Sequence, residues 1–325
     1  MSVDEATGRT EQVTSDTDSP AWLPPVSVVI ATRERPELLR RAVQAVLDQE
    51  YAGPIECVVV FDQAPMDASL VSGTLDAPRR VMVVPNTRTP GLAGARNSGI
   101  DASTGELVAF CDDDDEWLPQ KLRIQVAYLA ASGADVAVSG IEVHYDQKVI
   151  PRVPRVEDLS LAKLARRRIM EAHPSTVVVR AEALRERIGL VDEEIPGSYG
   201  EDFDWILRAA QAGPIAVVER PLVKVMWGQQ SFFNRRWETI IESIDYGLAK
   251  HPILSADPRG LARLQGRKAF AYAALGQSRN ALAWAARTIR LSWREQRAYV
   301  AIVVALRIVS ADRALRLAHS VGRGI

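Results

Sequence analysis

The 325-residue chain has only two cysteines, Cys57 and Cys111. Both lie inside apolar, strand-like runs, so a disulfide framework is excluded and buried free thiols in a reducing cytosol are expected. Long apolar runs are also missing. The longest near the C-terminus, Ala298–Leu306, holds nine residues before Arg307 interrupts it, and a bilayer span needs about 20. Residues 1–24 lack a basic start and an apolar centre and are rich in Asp, Glu, Ser and Thr. That pattern excludes a signal peptide and predicts a disordered tail. A large net charge is absent as well, at −1, yet the balance hides an asymmetry. From Arg259 to Ile325 thirteen Lys and Arg face only Glu295 and Asp312, a segment of +11 against −12 for the remainder. A basic tail on an acidic body points to an anionic partner, for which a membrane surface, nucleic acid or the body itself would serve.

The most informative feature present is the run Asp112 to Asp115, directly after the apolar Leu107–Cys111. Four adjacent carboxylates repel unless a cation sits among them. On an extended backbone Asp112 and Asp114 would point one way and Asp113 and Asp115 the other. Paired hard oxygen donors suit Mg²⁺ or Mn²⁺ with phosphate. The alternative is a solvated acidic turn.

The chain length allows one large α/β domain plus a smaller appendage, and 47% hydrophobic residues supply a core. Val26–Ala31, Ile55–Phe61, Arg80–Val84 and Leu107–Cys111 read as strands, with helices from Pro36, over Ala93–Ala102 and from near Pro119. This alternation predicts a mostly parallel sheet covered on both faces. Thr32, Asp62 and Asp112–Asp115 then fall at strand carboxyl ends, where such sheets bind ligands. Further on, Val136–Val143, Thr176–Val179, Ile215–Val218 and Leu222–Met226 read as strands, and Glu157–Arg168 and Asp202–Ala212 as helices. Beyond Phe232 the pattern is helical, at about 234–250, 258–275, 278–291, 293–308 and 311–321. The Ala-rich pair split by Gly276 resembles one helical hairpin, and a single copy does not make a repeat array.

The ordered pieces are Val28-Val-Ile-Ala-Thr-Arg33, Val60-Phe-Asp62, Gly91-Leu-Ala-Gly-Ala-Arg-Asn-Ser-Gly99, Gly105–Leu122, Gly189-Leu-Val-Asp-Glu-Glu194 and Gly200-Glu-Asp-Phe-Asp-Trp-Ile-Leu-Arg208. Together they resemble the family 2 inverting glycosyltransferases of the glycosyltransferase-A fold, over about residues 26–230. The resemblance implies a catalytic domain at 25–230 and a helical region at 231–325. It implies a nucleotide-sugar donor, Mn²⁺ or Mg²⁺, and transfer of one sugar to an acceptor hydroxyl on a glycan, a lipid-linked carrier or a small molecule. It assigns Asp112–Asp114 to the D-x-D position, with Asp114 and Asp112 on the metal and Asp112 and Asp113 on the nucleotide side. Asp62 resembles the base-reading aspartate. A carboxylate accepts a ring N–H, which favours UDP, dTDP or GDP over ADP; an ordinary turn residue is the alternative.

By the same resemblance Thr32, Arg33 and Glu34 occupy the position of the loop where the family closes over the nucleotide, and Arg96 lies in a Gly-rich helix start suited to phosphate. Gly91, Gly94 and Gly99 equally suit packing and turns. Asp202 resembles the general base that takes the acceptor proton in a single displacement, with Glu201 orienting it or binding acceptor. Helix capping by Asp202 is the bland alternative. The stretch Met226–Ser231 places Trp227 where many relatives carry His, and His173 is a substitute ligand candidate. The basic tail, with Trp284, Trp293, Tyr299 and Leu306, either lies on an anionic membrane at the inner face or packs on the core or a second subunit. No nucleic-acid partner is expected. A nucleotidyltransferase would want a Gly-rich, Lys-containing loop after the first strand, which Ala31–Pro36 lacks. A non-catalytic nucleotide-binding or scaffold protein, with a degenerate catalytic domain and an interaction-competent helical tail, is the competing class.

Overall fold

The computed structural model describes residues 22–320 except 75, 146–147 and 227–235. The expectation for residues 1–24 and for Trp227 therefore falls largely outside the described residues. The described strands are β1 Val26–Thr32, β2 Ile55–Phe61, β3 Arg79–Pro85, β4 Leu107–Phe110, β5 Asp115–Trp117, β6 Val136–Tyr145, β7 Lys148–Arg152, β8 Val178–Arg180 and β9 Ile215–Met226. The α-helices are α1 Pro36–Leu47, α2 Leu92–Ala102, α3 Lys121–Ser132, α4 Leu161–Arg166, α5 Ala181–Ala183, α6 Glu201–Ala212, α7 Trp237–Lys250, α8 Ile253–Ala256, α9 Pro258–Ala274, α10 Ser278–Leu291, α11 Gln296–Ala305 and α12 Ala311–Ser320.

All nine strands join one sheet in the order β3-β2-β1-β4-β8-β6-β9-β5, with β7 on the side of β6. β1 to β4 pair in parallel, as their continuous apolar runs predict. The second half is mixed. β8 runs antiparallel to both β4 and β6, and β5 antiparallel to β9, while β6 and β9 are parallel. The mostly parallel reading thus holds for the first half only. Between β7 and β8 lie only 3₁₀ turns and the six-residue α4, and no long crossover helix carries the chain back to the starting end of the sheet, as a parallel strand would need.

Successive residues of β1 and β2 serve opposite faces. Val29, Val58 and Val60 join one core with α2 and α6, and Val28, Ile30, Val59 and Phe61 join the other with α1 and α3. Each fully buried side chain of this size contributes about 1.5–3 kcal/mol. In α1, Pro36 opens the first turn, where its missing N–H costs nothing, and Leu39, Ala42, Val43 and Val46 form the buried stripe. Gly99 lets α2 lie against the sheet, because a Cβ there would sit 2.3 Å from Val29 Cγ1. Packing is therefore one use of that glycine.

Three local expectations change. Glu157–Arg168 is a 3₁₀ turn at Val156–Leu159 followed by α4, and the chain leaves the helix at Arg167. The two short strands at 215–226 are one strand, β9, whose register against β6 shifts around Gly140. β5 and β7 carry no apolar alternation and were not expected. Ile240, Ile244, Leu254 and Leu264 of α7–α9 belong to the main core, so this part of the tail packs on the α/β body. α9–α12 close a smaller Ala-rich core of their own, around Ala269, Ala281, Ala298 and Ala301. No described helix is long and apolar enough to cross a membrane.

Candidate active site

The parallel strands bring Thr32, Asp62 and the acidic run to one edge of the sheet, as expected. The run is not extended. The Asp115 N–H donates to the Asp112 carbonyl at 3.1 Å, closing a turn. The predicted alternation fails for that reason, and the four carboxylates divide differently. Asp113 and Asp114 face Arg35, whose Nη1 lies 3.2 Å from Asp113 Oδ1 and 2.8 Å from Asp114 Oδ2. Thr32 Oγ1 donates to Asp113 Oδ2 at 2.7 Å. Asp112 and Asp115 face His173 instead, at 3.9 Å from Nε2 and 3.3 Å from Nδ1 respectively.

Ser175 ties this group together. Its Oγ donates to Asp115 Oδ2 at 2.5 Å and accepts the Asp112 N–H at 2.9 Å. Burial raises the pKa of Asp113, Asp114 and Asp115, and the neighbouring carboxylates add to it. Burial also pushes His173 down, favouring the neutral imidazole that ligates metals. Asp112, Asp115 and His173 offer two oxygens and a nitrogen all within 4.8 Å of one another. That donor set fits a divalent cation. Asp114, the expected ligand beside Asp112, instead turns to Arg35 and stays 39% exposed at its side chain.

Arg96 connects two motifs far apart in sequence. From α2 its Nη2 donates to Asp112 Oδ1 at 2.6 Å, and its Nη1 donates to Glu201 Oε1. Burial opposes the guanidinium charge, but Asp112 and Glu201 outweigh it and raise its pKa. Burial also raises Glu201, with Asp202 adding and Arg96 opposing. Removing Arg96 would strand the buried Glu201 and the half-buried Asp112, at a cost of about 3 kcal/mol. Its neighbour Asn97 faces away and pins the Gly189–Glu194 segment, donating to Val191 O at 2.8 Å and Glu193 Oε1 at 2.6 Å.

Asp202 is the second residue of α6, and that helix has no side-chain N-cap bond. Asp202 is thus not the N-cap, yet its Oδ1 satisfies a first-turn N–H, a helix-start role that stands beside any catalytic one. Asp202 Oδ2 accepts from Arg168 Nη2, and Oδ1 accepts its neighbour Phe203 N–H at 2.7 Å. Asp62 Oδ1 accepts from Asn86 Nδ2 at 2.8 Å and Gly91 N at 3.1 Å, while among the described residues Oδ2 takes only Gln63 Nε2 at 3.2 Å. Gly91, at φ 121°, is a turn glycine that points its N–H at this carboxylate. Arg33 and Glu34 are exposed and make no ion pair among the described residues. Arg35, Arg168 and Ser175 were not expected. Arg35 adjoins the quoted loop and Ser175 follows His173-Pro174, but Arg168 lies in a loop with no local pattern.

Comparison with known proteins places this arrangement. A model of glycosyl transferase family 2 matches residues 27–188. The chain belongs to that family. It is 36% identical over 123 residues to the succinoglycan biosynthesis protein ExoO of Rhizobium meliloti, covering 37% of this chain but only 34% of that protein. It is 27% identical over 224 residues to the amylovoran biosynthesis glycosyltransferase AmsE of Erwinia amylovora, covering 67% and 81%. Among solved structures, the mannosyltransferase PcManGT from Pyrobaculum calidifontis, in complex with GDP-Man and Mn²⁺, shares the fold at a TM-score of 0.54 and 18% identity, over 90% of this chain and 83% of that one. The glycosyltransferase-A fold with a helical C-terminal region is thereby established.

Proposed function

We propose that the protein transfers one sugar, with inversion, from a nucleoside diphosphate sugar to an acceptor hydroxyl in glycan or glycolipid biosynthesis. The observation that carries this is Arg96, which holds Asp112 of the acidic run and Glu201 of the acidic pair on one guanidinium. Donor-side and acceptor-side carboxylates thus share one site. The donor complex of the structural neighbour and the biosynthetic names of the relatives support the reading.

Asp202 is the general base. Each of its oxygens has one partner and keeps a lone pair, so it can take the acceptor proton as that oxygen attacks the anomeric carbon. Glu201, fixed by Arg96, positions Asp202 and the acceptor. Asp62 reads the base through Oδ2, which favours UDP, dTDP or GDP. Thr32 and Arg35 set Asp113 and Asp114 around the nucleotide, with Arg33 and Glu34 on the open side of that loop. Asp112 belongs to both donor sets for Mn²⁺ or Mg²⁺, one with Asp115 and His173 and the other with Asp114. When bound, the cation offsets negative charge on the departing diphosphate. Catalysis is assigned to the 25–230 unit.

The connections between the outer helices α10, α11 and α12 support contact with the inner face of an anionic membrane. Trp293 and Ile308 are 67% and 68% exposed, and Arg294 stacks on Trp293 at 5.0 Å. The first test is a calorimetric panel of UDP, dTDP, GDP and ADP with and without Mn²⁺. Metal-dependent binding of one nucleotide is expected, and binding of none would leave the scaffold reading in its place.

A further inference from the structure

We propose that the cleft between α6, α7 and α9 binds a phosphate or diphosphate group of the acceptor and thereby presents the acceptor hydroxyl to Asp202. This rests on the transferase reading above. The cleft is lined by Arg168, Tyr199, Gly200, Phe203, Arg263 and Arg267, among others. Three guanidiniums therefore share one partly enclosed space, and a fourth, Arg297, is close enough to depress Arg263 and Arg267.

The carboxylates nearby are already paired, one of them with Arg168 of the cleft itself, and among the described residues none pairs with Arg263 or Arg267. Asp202 pairs with Arg168, and Glu295 with Arg297 at 2.8 Å. Asp204 also lines the cleft, but it pairs with Arg208 at 2.9 Å and with Lys250 and His251 at 2.7 Å each. Arg267 donates to the Tyr199 hydroxyl, a neutral group. Arg263 makes no hydrogen bond or ion pair among the described residues, and its Nε is fully buried without a partner. Burial, then Arg267, Arg297 and Arg168, pull its pKa down to about 9. A cluster this short of anions is unfavourable by itself, and an anion of more than one charge relieves it.

Guanidinium forks match phosphate oxygens, which makes phosphate the chemistry of choice. The location is specific. Arg168 lines the cleft and touches Asp202, so an anion held there lies one side chain from the base. The donor diphosphate belongs to the acidic run and its cation, which leaves a basic, cation-free cleft for the other substrate.

The test uses calorimetry on the full chain, with the diphosphate probes titrated in EDTA and the binding of UDP, dTDP and GDP measured separately with Mn²⁺. The probes are inorganic pyrophosphate, farnesyl diphosphate and farnesol. Wild type is expected to bind pyrophosphate or farnesyl diphosphate but not farnesol, and R263Q and R263Q/R267Q are expected to weaken that binding at least tenfold. Neither arginine touches the nucleotide site, so nucleotide binding should be unchanged in both variants, which also reports an intact fold. Equal binding of the two diphosphates assigns recognition to the phosphates alone, as in a soluble phosphorylated acceptor. Preference for farnesyl diphosphate assigns it to a lipid-linked one. Nucleotide binding without diphosphate binding, or diphosphate binding indifferent to the substitutions, overturns the cleft and spares the transferase. Diphosphate binding that depends on Arg263, in a protein that binds no nucleotide, supports the cleft and sinks the transferase.

Discussion

Arg168 reaches from the loop after α4 to donate to Asp202 Oδ2, across a separation of 34 residues. The pair sits where the acidic pair at the start of α6 meets the arginine-lined cleft, so Arg168 holds the carboxylate proposed above as the general base. Asp202→Asn should lower turnover by about 10²–10⁴-fold while nucleotide binding survives. Arg168→Gln should lower kcat with the donor KM unchanged. Steady-state kinetics beside calorimetry check both, and an Asp202→Asn enzyme within tenfold of wild type would remove Asp202 from the mechanism.

The cation site can be assigned by comparing single variants. The turn at Asp112–Asp115 leaves Asp114 on Arg35 and gathers Asp112, Asp115 and His173. Asp112→Asn should abolish Mn²⁺-dependent nucleotide binding in either donor set. If Asp115 and His173 hold the cation, His173→Ala should weaken that binding at least tenfold and Asp114→Ala should not. The reverse ranking assigns Asp114. Manganese titration followed by electron paramagnetic resonance gives the readout without turnover.

Asp204 predicts an acid-sensitive fold. Burial opposes its ionisation, but His251, Arg208 and Lys250 outweigh that and hold its pKa well below the usual range. A depressed folded pKa stabilises the protein above the unfolded value of about 3.9, and the contribution fades as pH falls through the folded one. Asp204→Asn should therefore cost about 3 kcal/mol at pH 7, and the difference from wild type should shrink at acid pH. Thermal melts from neutral to strongly acid pH measure it. A constant difference across that range would contradict the assignment.

The tail predicts salt-sensitive membrane binding. Co-sedimentation with phosphatidylglycerol vesicles should exceed that with phosphatidylcholine and should fall as ionic strength rises. Trp293→Ser with Ile308→Ser should reduce it severalfold. Equal recovery with both lipids would leave these helices as an ordinary packed subdomain.

Much of this was legible from neighbouring residues. Val26–Thr32 and Ile55–Phe61 announced buried strands through β-branched runs, and Pro36 with its apolar stripe announced α1. The polar residues that end those runs marked the sheet edge where Asp62 and the acidic run lie. Signals of this kind are local, since strand, helix and strand end are set by residues a few positions apart.

The chemistry was less legible. Four identical residues carry no internal mark of register, so only the closed turn decides which carboxylates share a side. Asp115 thus joins Asp112, against the alternation of an extended chain. Arg168 and Arg263 come from segments whose local pattern says nothing of the cleft they line.

The sequence alone determined the family, the parallel first half of the sheet and the edge on which the acids gather, because each follows from short-range periodicity and ordered motifs. Tertiary structure alone decided which guanidinium meets which carboxylate. Arg96 lies 16 residues from Asp112 and 105 from Glu201, and contacts over such separations exist only once the core has closed.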